Sequence, residues 1–403
     1  MTESTSSSVV AEPHYEFGAN WQHFIETQFS TERVETARQC LLKLLHRTDL
    51  TGETFLDIGS GSGLHSLAAW MSGAERVTSF DYDPNSVATT RQLHQLAGSP
   101  TNWTVQQGDV LSPEFLSTLS KHSIVYSWGV LHHTGAMWDA IRNARQLLAE
   151  NGLFCIALYT SDHYIKPSAG YWMTLKQRYN QSGRFRRLWM EWCYLFRFLL
   201  WPELRGLRNP WTWYRNYFQQ RGMNVWTDIR DWLGGWPMEY AGVMEMRTFC
   251  RDQLGLELVW MNAGEANTEY LMTAASQRNV EQDAPHQHVI HPVSGPFEPI
   301  GPYAYMGRVS ELEATGDSQQ SPRQSPWVLY EAGQPLTIPH VPLADIKSAG
   351  AGRYSHWKDR IYFSTIDGSN PNCNGRSYEL RQRSPITIAP PIRTLTLPQR
   401  SKH

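Results

Sequence analysis

The sequence has few features of a secreted, disulfide-bonded or membrane-spanning protein. Its five cysteines lie far apart and form no C-x-x-C pair, which argues against a disulfide framework and against a metal site. The longest apolar run, from Leu188 to Trp201, contains Glu191 and Arg197 and is too short to span a bilayer. The first residues lack the basic and apolar regions of a signal peptide. We therefore expect a protein of the reducing cytoplasm.

An excess of charge of one sign is lacking as well. The formal net charge is −2 over 403 residues, so the overall charge gives no reason to expect a nucleic-acid partner. The length predicts two or three folding units. The local composition is different: ten of the 17 tryptophans lie between Trp172 and Trp260, and residues 176–221 contain ten Lys or Arg against two Glu.

Short apolar runs alternate with helical patterns from Thr54 onward, which is typical of parallel βα units and predicts an α/β fold. The predicted strands are Thr54–Ile58, Arg76–Asp81, Trp103–Gln106, Ile124–Trp128 and Leu153–Tyr159, followed by a hairpin of Glu257–Met261 and Glu269–Thr273. The predicted helices are 30–48, with Ser30 or Thr31 as N-cap, Leu64–Met71, Pro84–Leu96, Met137–Ala149 and Tyr240–Gln253.

Changes in composition divide the chain into five predicted parts. They are a disordered N-terminus (1–16), a core (17–160 and 240–275), a helical, aromatic and basic insertion (161–239), a linker (276–290) and a small β-rich domain (291–403). The strands predicted in the last part are Trp327–Tyr330, Arg360–Ser364, Tyr378–Arg381 and Thr394–Leu397.

A glycine-rich turn follows the first predicted strand. Residues 57–63 read DIGSGSG, which is G-x-G-x-G rather than the G-x-G-x-x-G of dinucleotide sites. The acidic Asp57 before the glycines suits a ligand with an ammonium group and no phosphate. Asp81 ends the second strand, where a carboxylate can bind ribose hydroxyls, and Asp109 after the third strand suits an adenine amino group. An amino acid, a ribose and an adenine without phosphate together describe S-adenosylmethionine.

Four motifs carry a family resemblance. Asp57–Gly63, Phe80–Asp83, Gly108–Asp109 and Val125–Thr134 resemble, in that order, the motifs of class I S-adenosylmethionine-dependent methyltransferases, and the closest match is to the bacterial type 11/12 group. FGANW at 17–21 and DWLGG at 231–235 resemble a subgroup that often accompanies polysaccharide genes. The resemblance covers about residues 17–275. It implies a Rossmann-like seven-stranded methyltransferase sheet, with the insertion as a lid.

The resemblance also implies which residues bind S-adenosylmethionine. The glycines would line its methionine part, Asp81 its ribose and Asp109 its adenine, while Asp57 or the backbone of Ser60 and Ser62 would meet its amino-acid end. The candidate cofactor-binding residues are Trp21, Asp57, Gly59, Ser60, Gly61, Ser62, Gly63, Asp81, Tyr82, Gly108, Asp109, Val110, Trp128 and Gly129. Trp21 could instead only pack the N-terminal helix on the sheet.

Two histidines follow the fourth strand, on the edge where an acceptor would approach. A hydroxyl acceptor must lose a proton, and an imidazole is suited to accept it near neutral pH. We expect His133 rather than His132 to be the base, although both could simply shape the loop before the next helix. Asp231 is the first alternative base, ahead of Asp228 and Glu239. Each of these carboxylates could equally be solvated or cap a helix.

The insertion contains RFRRLWMEWCYLFRFLLW at 184–201, in which arginines interleave with aromatic residues. Three interpretations stay open: a lid packed on the core, contact with an anionic membrane surface, or binding of a phosphorylated or acidic acceptor. Tryptophan faces also suit sugar rings, so we expect O-methylation of a sugar or glycan hydroxyl. A lipid-linked substrate at the inner membrane surface would agree with both the membrane and the acidic-acceptor interpretations. The alternatives are N- or O-methylation of a small natural product, and a non-catalytic glycan- or partner-binding module. No oligomeric state is predicted.

Overall fold

A computed structural model describes residues 30–163, 167–201, 204, 225–263, 267–274, 289–321, 323–382 and 387–395. The N-terminal segment with Trp21 and most of the predicted linker lie outside these residues. The strands are β1 Thr54–Ile58, β2 Arg76–Asp81, β3 Trp103–Gln107, β4 His122–Trp128, β5 Leu148–Tyr159, β6 Leu256–Ala263, β7 Asn267–Ala274, β8 Val289–Pro292, β9 Glu298–Pro299, β10 Tyr305–Arg308, β11 Trp327–Glu331, β12 Gln334–Pro335, β13 Tyr354–Trp357, β14 Arg360–Phe363 and β15 Tyr378–Gln382. The α-helices are α1 Thr31–Leu45, α2 Leu64–Met71, α3 Pro84–Leu96, α4 Pro113–Leu116, α5 Met137–Gln146, α6 Ala169–Asn180, α7 Arg184–Tyr194, α8 Val225–Gly234, α9 Val243–Leu254 and α10 Leu343–Ala349.

Seven strands form the central sheet in the order β3-β2-β1-β4-β5-β7-β6. The five strands from β3 to β5 pair in parallel, and β7 runs antiparallel to both β5 and β6. The strand order reverses between β1 and β4, and the crevice at the carboxyl ends of such neighbouring strands is where doubly wound sheets bind ligands. The predicted Rossmann-like seven-stranded sheet is confirmed.

Two of the predicted helix starts have the expected chemistry. Ser30 caps α1 by accepting a hydrogen bond from the N–H of Arg33. Asp83 caps α3 by accepting one from the N–H of Asn85, and Pro84 occupies the first helical position. These short-range signals are why the sequence located both helices.

The predicted helix Met137–Ala149 is too long at its C-terminal end. The helix stops at Gln146, and Leu148 instead pairs with His122 and begins β5. Asn151 adopts a φ of 70° next to Gly152, where the pairing with β4 is irregular. The extra strand residues come from pairing with β4, a contact that the local pattern does not contain.

Three helices of the insertion, α6, α7 and α8, pack together, and a π-helical turn at Leu195–Leu200 continues α7. They share a hydrophobic cluster that includes Tyr179, Met190, Val225 and Ile229. The prediction of a helical insertion is confirmed in the described part of 161–239. Most of residues 202–224 lie outside it.

The C-terminal part contains two four-stranded antiparallel sheets, ordered β13-β14-β10-β9 and β12-β11-β15-β8. Both contribute to one hydrophobic cluster, with Phe363 from the first sheet and Leu380 from the second. The predicted β-rich character is confirmed, but the linker prediction ran too far, because Val289 and Ile290 already pair with β15.

The predicted strand Thr394–Leu397 is wrong at Thr394 and Leu395, which are not in a strand. Residues 387–395 lie against the central sheet instead. The backbone N–H groups of Ile392 and Arg393 donate to the carbonyl of Met71, and the Arg393 guanidinium donates to the carbonyls of Trp70 and Ala74. These hydrogen bonds to the end of α2 replace the expected sheet pairing.

Candidate functional site

The glycine-rich turn between β1 and α2 has a backbone that only glycine adopts easily. Gly59, Gly61 and Gly63 have φ values of 73°, 53° and 77°. A Cβ atom on Gly59 would lie 2.4 Å from Cγ1 of Val130. The amides of Gly59 and Ser60 donate to the carbonyl of Phe80 at 2.9 and 3.1 Å. The turn is therefore folded over the end of β2 and pressed against the loop that follows β4.

Asp81, the last residue of β2, fixes the middle of this turn. Its Oδ2 accepts a hydrogen bond from the N–H of Gly61 at 2.8 Å, and its Oδ1 accepts one from the N–H of Asp83 at 2.9 Å. Burial raises the pKa of the Asp81 carboxyl to about 6, although these amide donors act in the opposite direction. Each carboxylate oxygen has further acceptor capacity, which suits a pair of ribose hydroxyls.

Asp57 is directed into the protein rather than toward the crevice. Its side chain is 2% exposed, and its Oδ2 accepts a hydrogen bond from Oγ of Ser66 at 2.5 Å. Burial raises the pKa of Asp57 to about 7. The Asp57 carboxylate is therefore used to bind Ser66 of α2. The backbone of the turn is the better candidate for binding the amino-acid end of a ligand.

The side chains of Ser60 and Ser62 are also engaged locally. Oγ of Ser60 lies 3.0 Å from Oγ1 of Thr90, and Oγ of Ser62 accepts from the N–H of Leu64 at 3.4 Å. The prediction concerns the backbone of Ser60 and Ser62, and the contacts of their side chains do not affect it.

The segment after β3 contains a second close approach. A Cβ on Gly108 would lie 2.0 Å from Cζ of Phe115. Asp109 accepts a hydrogen bond from the N–H of Leu111 at 2.8 Å, which orients its carboxylate. The side chain of Val110 packs in the core at 5% exposure, so only the backbone of Val110 fits the predicted contact.

Tyr82 and Trp128 lie at the ends of β2 and β4, with 62% and 42% of their surface exposed. Nε1 of Trp128 donates to Oε1 of Glu269 at 2.9 Å. Gly129 has a φ of 75° and its amide donates to the carbonyl of Ala157. The roles predicted for these residues stay predictions.

The two histidines share one 3₁₀ turn, Leu131–His133, but they have different surroundings. His133 is half-buried, and its Nδ1 lies 2.7 Å from the carbonyl oxygen of Pro237. A carbonyl can only accept, so Nδ1 carries the proton and Nε2 is the nitrogen able to accept another. This hydrogen bond gives His133 the tautomer that a base requires.

His132 is fully buried. Its ring lies 4.1 Å from that of Tyr159 and 4.3 Å from that of His133, measured between centroids. Neither ring nitrogen has a hydrogen-bond partner among the described residues. Burial, together with the charges of His133 and Lys176, holds the pKa of His132 well below its usual range. Its burial favours His133 as the base, as the sequence does, and a role for His132 stays a prediction.

The last residue of the insertion, Glu239, holds this turn in place. The amide of Glu239 donates to the carbonyl of His132 at 2.9 Å, and Oε2 of Glu239 accepts from the N–H of Met137 at 2.8 Å. Glu239, an alternative base by sequence, therefore caps α5. Asp231 lies in α8, and its side chain is outside the described residues, so its role stays a prediction.

Sequence reasoning missed an aromatic cluster beside the histidines. Lys176 of α6 is fully buried, with its Nζ 4.2 Å from the ring centroid of Trp232 and 5.4 Å from that of Tyr159. Trp172 and Trp232 lie 5.3 Å apart. The high tryptophan content of the insertion is a signal for this cluster, but the count of basic residues in 176–221 does not distinguish Lys176 from the others.

The described residues contain no group of three or more His, Cys, Asp or Glu side chains placed to hold a metal ion. None of their helices is long and apolar enough to cross a membrane.

The same part of the chain matches a known protein family. Residues 29–227 match the family model described as "Methyltransferase domain". The predicted methyltransferase domain is thereby confirmed, and the predicted cofactor, S-adenosylmethionine, agrees with the match. The polysaccharide-associated subgroup stays a prediction.

Curated relatives of the methyltransferase domain match over short stretches. A ribosomal protein L11 methyltransferase of Tolumonas auensis is 40% identical over 70 residues, which are 17% of this chain and 24% of that protein. A tRNA U34 carboxymethyltransferase of Idiomarina loihiensis is 31% identical over 110 residues, or 27% and 33% of the two chains. This chain therefore spans a quarter to a third of these relatives.

Solved structures with a similar layout are more distant in sequence. PKMT2 from Rickettsia typhi, in complex with AdoHcy, has a TM-score of 0.44 at 12% identity, covering 64% of this chain and 58% of that one. A magnesium protoporphyrin IX methyltransferase from Synechocystis PCC 6803 with bound SAH has a TM-score of 0.38 at 13% identity, covering 64% and 93%. Neither likeness bears on the acceptor.

Proposed function

We propose that this chain is an S-adenosylmethionine-dependent methyltransferase that methylates a sugar or glycan hydroxyl in the cytoplasm, with His133 as general base. The observation that carries the proposal is the contact between the glycine turn and the histidine turn. Gly59 has room for a hydrogen only, because Val130 fills the space beside it, and Val130 is the residue that directly precedes the turn containing His133. The backbone of the glycine turn and the side chain of His133 therefore lie at the same edge of the central sheet.

The residues present fit the cofactor. Gly59 and Gly61 are partly exposed in the turn, Asp81 offers two carboxylate oxygens at the strand end, and Asp109 follows the neighbouring strand. S-adenosylmethionine, when bound, supplies a methyl group already activated on a positively charged sulfur. The turn has no phosphate-binding features beyond its amides, and the carboxylate of Asp81 would repel a pyrophosphate.

The protein's own contribution to the reaction is positioning and proton transfer. A hydroxyl that forms a bond to carbon must release its proton, and the hydrogen bond to Pro237 sets the His133 tautomer in which Nε2 carries no proton and can take one. Fixing the two reacting groups in one geometry supplies much of the remaining acceleration. The buried His132 ring and the partly exposed Tyr159 ring pack against the His133 ring and hold it in place.

The acceptor class is argued from the aromatic side chains beside the histidines. Tyr159 and Trp232 are partly exposed and pair edge to face beside His133, while the buried Trp172 packs behind Trp232. Flat aromatic faces suit the apolar faces of sugar rings. The relatives named above act, by their names, on a ribosomal protein and on tRNA, so protein and RNA are the competing acceptors.

Labelled methyl transfer tests this function directly. The purified chain is incubated with methyl-labelled S-adenosylmethionine and heat-treated extract, in which endogenous methyltransferases are inactive. The proposal predicts label in the polysaccharide or glycolipid fraction, recovered after acid hydrolysis as an O-methyl sugar that survives mild alkali. Asp81→Asn serves as the control for cofactor dependence. Label confined to protein, RNA or small molecules would contradict the sugar assignment.

A further inference from the structure

The surface of the insertion carries a concentration of exposed apolar side chains. Of the fifteen large hydrophobic side chains exposed among the described residues, seven lie between 185 and 204. Four of them belong to α7, with exposures of 93% for Phe185, 47% for Leu188, 66% for Trp189 and 55% for Trp192. We call these four residues the apolar stripe. Single exposed apolar residues are ordinary on a protein surface, but a contiguous set marks an interaction site.

The apolar stripe follows helical geometry. Its residues stand at positions i, i+3, i+4 and i+7 of α7, which places them on one face of an α-helix. At 100° per residue, Arg184 and Arg186 fall on either side of that face. Both arginines are exposed. The outward surface of α7 is therefore an aromatic band with a guanidinium along each border.

The opposite face of α7 is fixed to the rest of the insertion. Met190 and Glu191 are buried. Glu191 accepts hydrogen bonds from the hydroxyl of Tyr179 at 2.8 Å and from Nε of Arg230 at 3.2 Å. Glu191 is the only acidic residue in 184–201, and it points inward. The outward face therefore has positive charge without any acid to offset it.

We propose that the apolar stripe docks on an anionic lipid surface. Helices with Trp, Phe and Leu on one side and Arg at the borders lie in the plane of the headgroups, with their aromatic side chains at the headgroup–acyl boundary. Because Met190 and Glu191 hold the opposite face of α7 against the rest of the insertion, only the apolar stripe can meet the lipid, and the helix lies in the plane of the surface. The proposal does not depend on methyl transfer.

Vesicle co-sedimentation of the full chain tests the docking. The vesicles contain phosphatidylcholine alone or with 30% phosphatidylglycerol, a composition chosen for the assay. We expect binding to the anionic vesicles that weakens with added salt, and much weaker binding to the neutral ones. Trp189→Gln/Trp192→Gln should lower partitioning at least about tenfold. Arg184→Gln/Arg186→Gln should lower it about thirtyfold, at roughly 1 kcal/mol per basic residue.

Matched variants change the same side-chain types elsewhere. Tyr303→Gln/Ile290→Gln removes exposed apolar residues of the β-rich domain, and Lys121→Gln/Arg308→Gln removes two exposed cations. Both should bind as the wild type does. Circular dichroism and S-adenosylmethionine titration confirm that each variant is folded.

Three results would overturn the proposal. The first is a wild-type chain that does not bind anionic vesicles. The second is a stripe variant that binds as well as the wild type. The third is a wild-type chain that is dimeric in lipid-free sedimentation and becomes monomeric with Trp189→Gln/Trp192→Gln, which would make a second copy the occupant.

Discussion

Oγ of Ser66 in α2 lies 2.5 Å from Oδ2 of Asp57 in β1. The same hydroxyl accepts a hydrogen bond from Oγ of Ser79 in β2 at 2.7 Å, and Oγ of Ser79 accepts one from Nε1 of Trp103 in β3 at 2.8 Å. These four buried side chains form one hydrogen-bonded chain across three strands and a helix. It fixes α2, and with it the C-terminal end of the glycine turn, to the sheet.

The first prediction concerns the link between helix and sheet. Ser66→Ala removes the hydroxyl that donates to Asp57 and accepts from Ser79. Because both partners are buried, the free energy of unfolding should fall by about 1–3 kcal/mol. Ser117→Ala, which removes an exposed hydroxyl bonded to the carbonyl of Glu114, should change it by less than about 0.5 kcal/mol. Urea denaturation of both variants measures the difference. Equal, small effects would show that the buried chain contributes little.

The second prediction concerns the pH dependence of stability. The pKa of Asp57 is raised from 3.8 to about 7 in the folded protein, so the native state holds a proton that the unfolded state releases. The stability from this proton is complete below pH 3.8 and is lost as the pH rises through 7. Asp57→Asn removes this loss, and its stability relative to the wild type should improve by about 1.4 kcal/mol per pH unit between pH 5 and 7.

Urea titrations at pH 5, 6 and 7 check this slope. Asp49→Asn is the comparison, because hydrogen bonds with Thr51 lower the pKa of Asp49, so its effect should be constant over this range. A constant difference between Asp57→Asn and the wild type would show that Asp57 is ionised throughout.

The third prediction separates backbone strain from collision at the glycine turn. Gly59 and Gly98 have similar φ values of 73° and 84°, but a Cβ on Gly98 would meet nothing within 4 Å, whereas one on Gly59 would meet Val130. Gly59→Ala should therefore abolish S-adenosylmethionine binding by calorimetry, while Gly98→Ala should leave the affinity unchanged. Val130→Ala in the Gly59→Ala background should restore part of it. If Gly59→Ala kept its affinity for S-adenosylmethionine, the glycine turn would not be part of the binding site.

The fourth prediction concerns His133. His133→Gln should lower kcat for an oxygen acceptor by about 10²- to 10⁴-fold, the usual contribution of a general base, and leave S-adenosylmethionine affinity within about twofold. His94→Gln, which alters a histidine bonded to the carbonyl of Pro100, should leave both quantities unchanged. An unaltered kcat in His133→Gln would indicate a neutral amine acceptor or a histidine that only shapes its loop.

The sheet and the glycine turn were predictable because their signals are local. Three glycines at alternate positions, Gly59, Gly61 and Gly63, indicate a turn with positive φ values. Each strand of the parallel sheet is a short apolar run bounded by polar residues. Asp81 was found for the same reason, since it ends a strand at the edge that binds ligands. The family match supports the same part of the chain.

The rest depended on contacts between residues far apart in the sequence. The sequence left open whether Asp57 or the backbone of Ser60 and Ser62 meets the ligand, and the orientation of Asp57 is set by its hydrogen bond with Ser66. The surroundings of His132 and His133 were not predictable either, because the burial of His132 and the hydrogen bond between His133 and Pro237 arise only in the folded chain. Arg353 of the β-rich domain donates to Asp162 at 3.1 Å, a contact across 191 residues that no local pattern contains.

Titration of S-adenosylmethionine into the wild type and Asp81→Asn by calorimetry tests the central claim, that the adenosyl sulfonium lies at the carboxyl edge beside the glycine turn. The wild type should bind, and Asp81→Asn should lose about ten- to hundredfold in affinity, as expected for a charged hydrogen-bond acceptor. Because burial raises the pKa of Asp81 to about 6, the wild-type affinity should fall below that pH and the variant's should not. A wild type that does not bind, or equal affinities for the two proteins, would contradict the account.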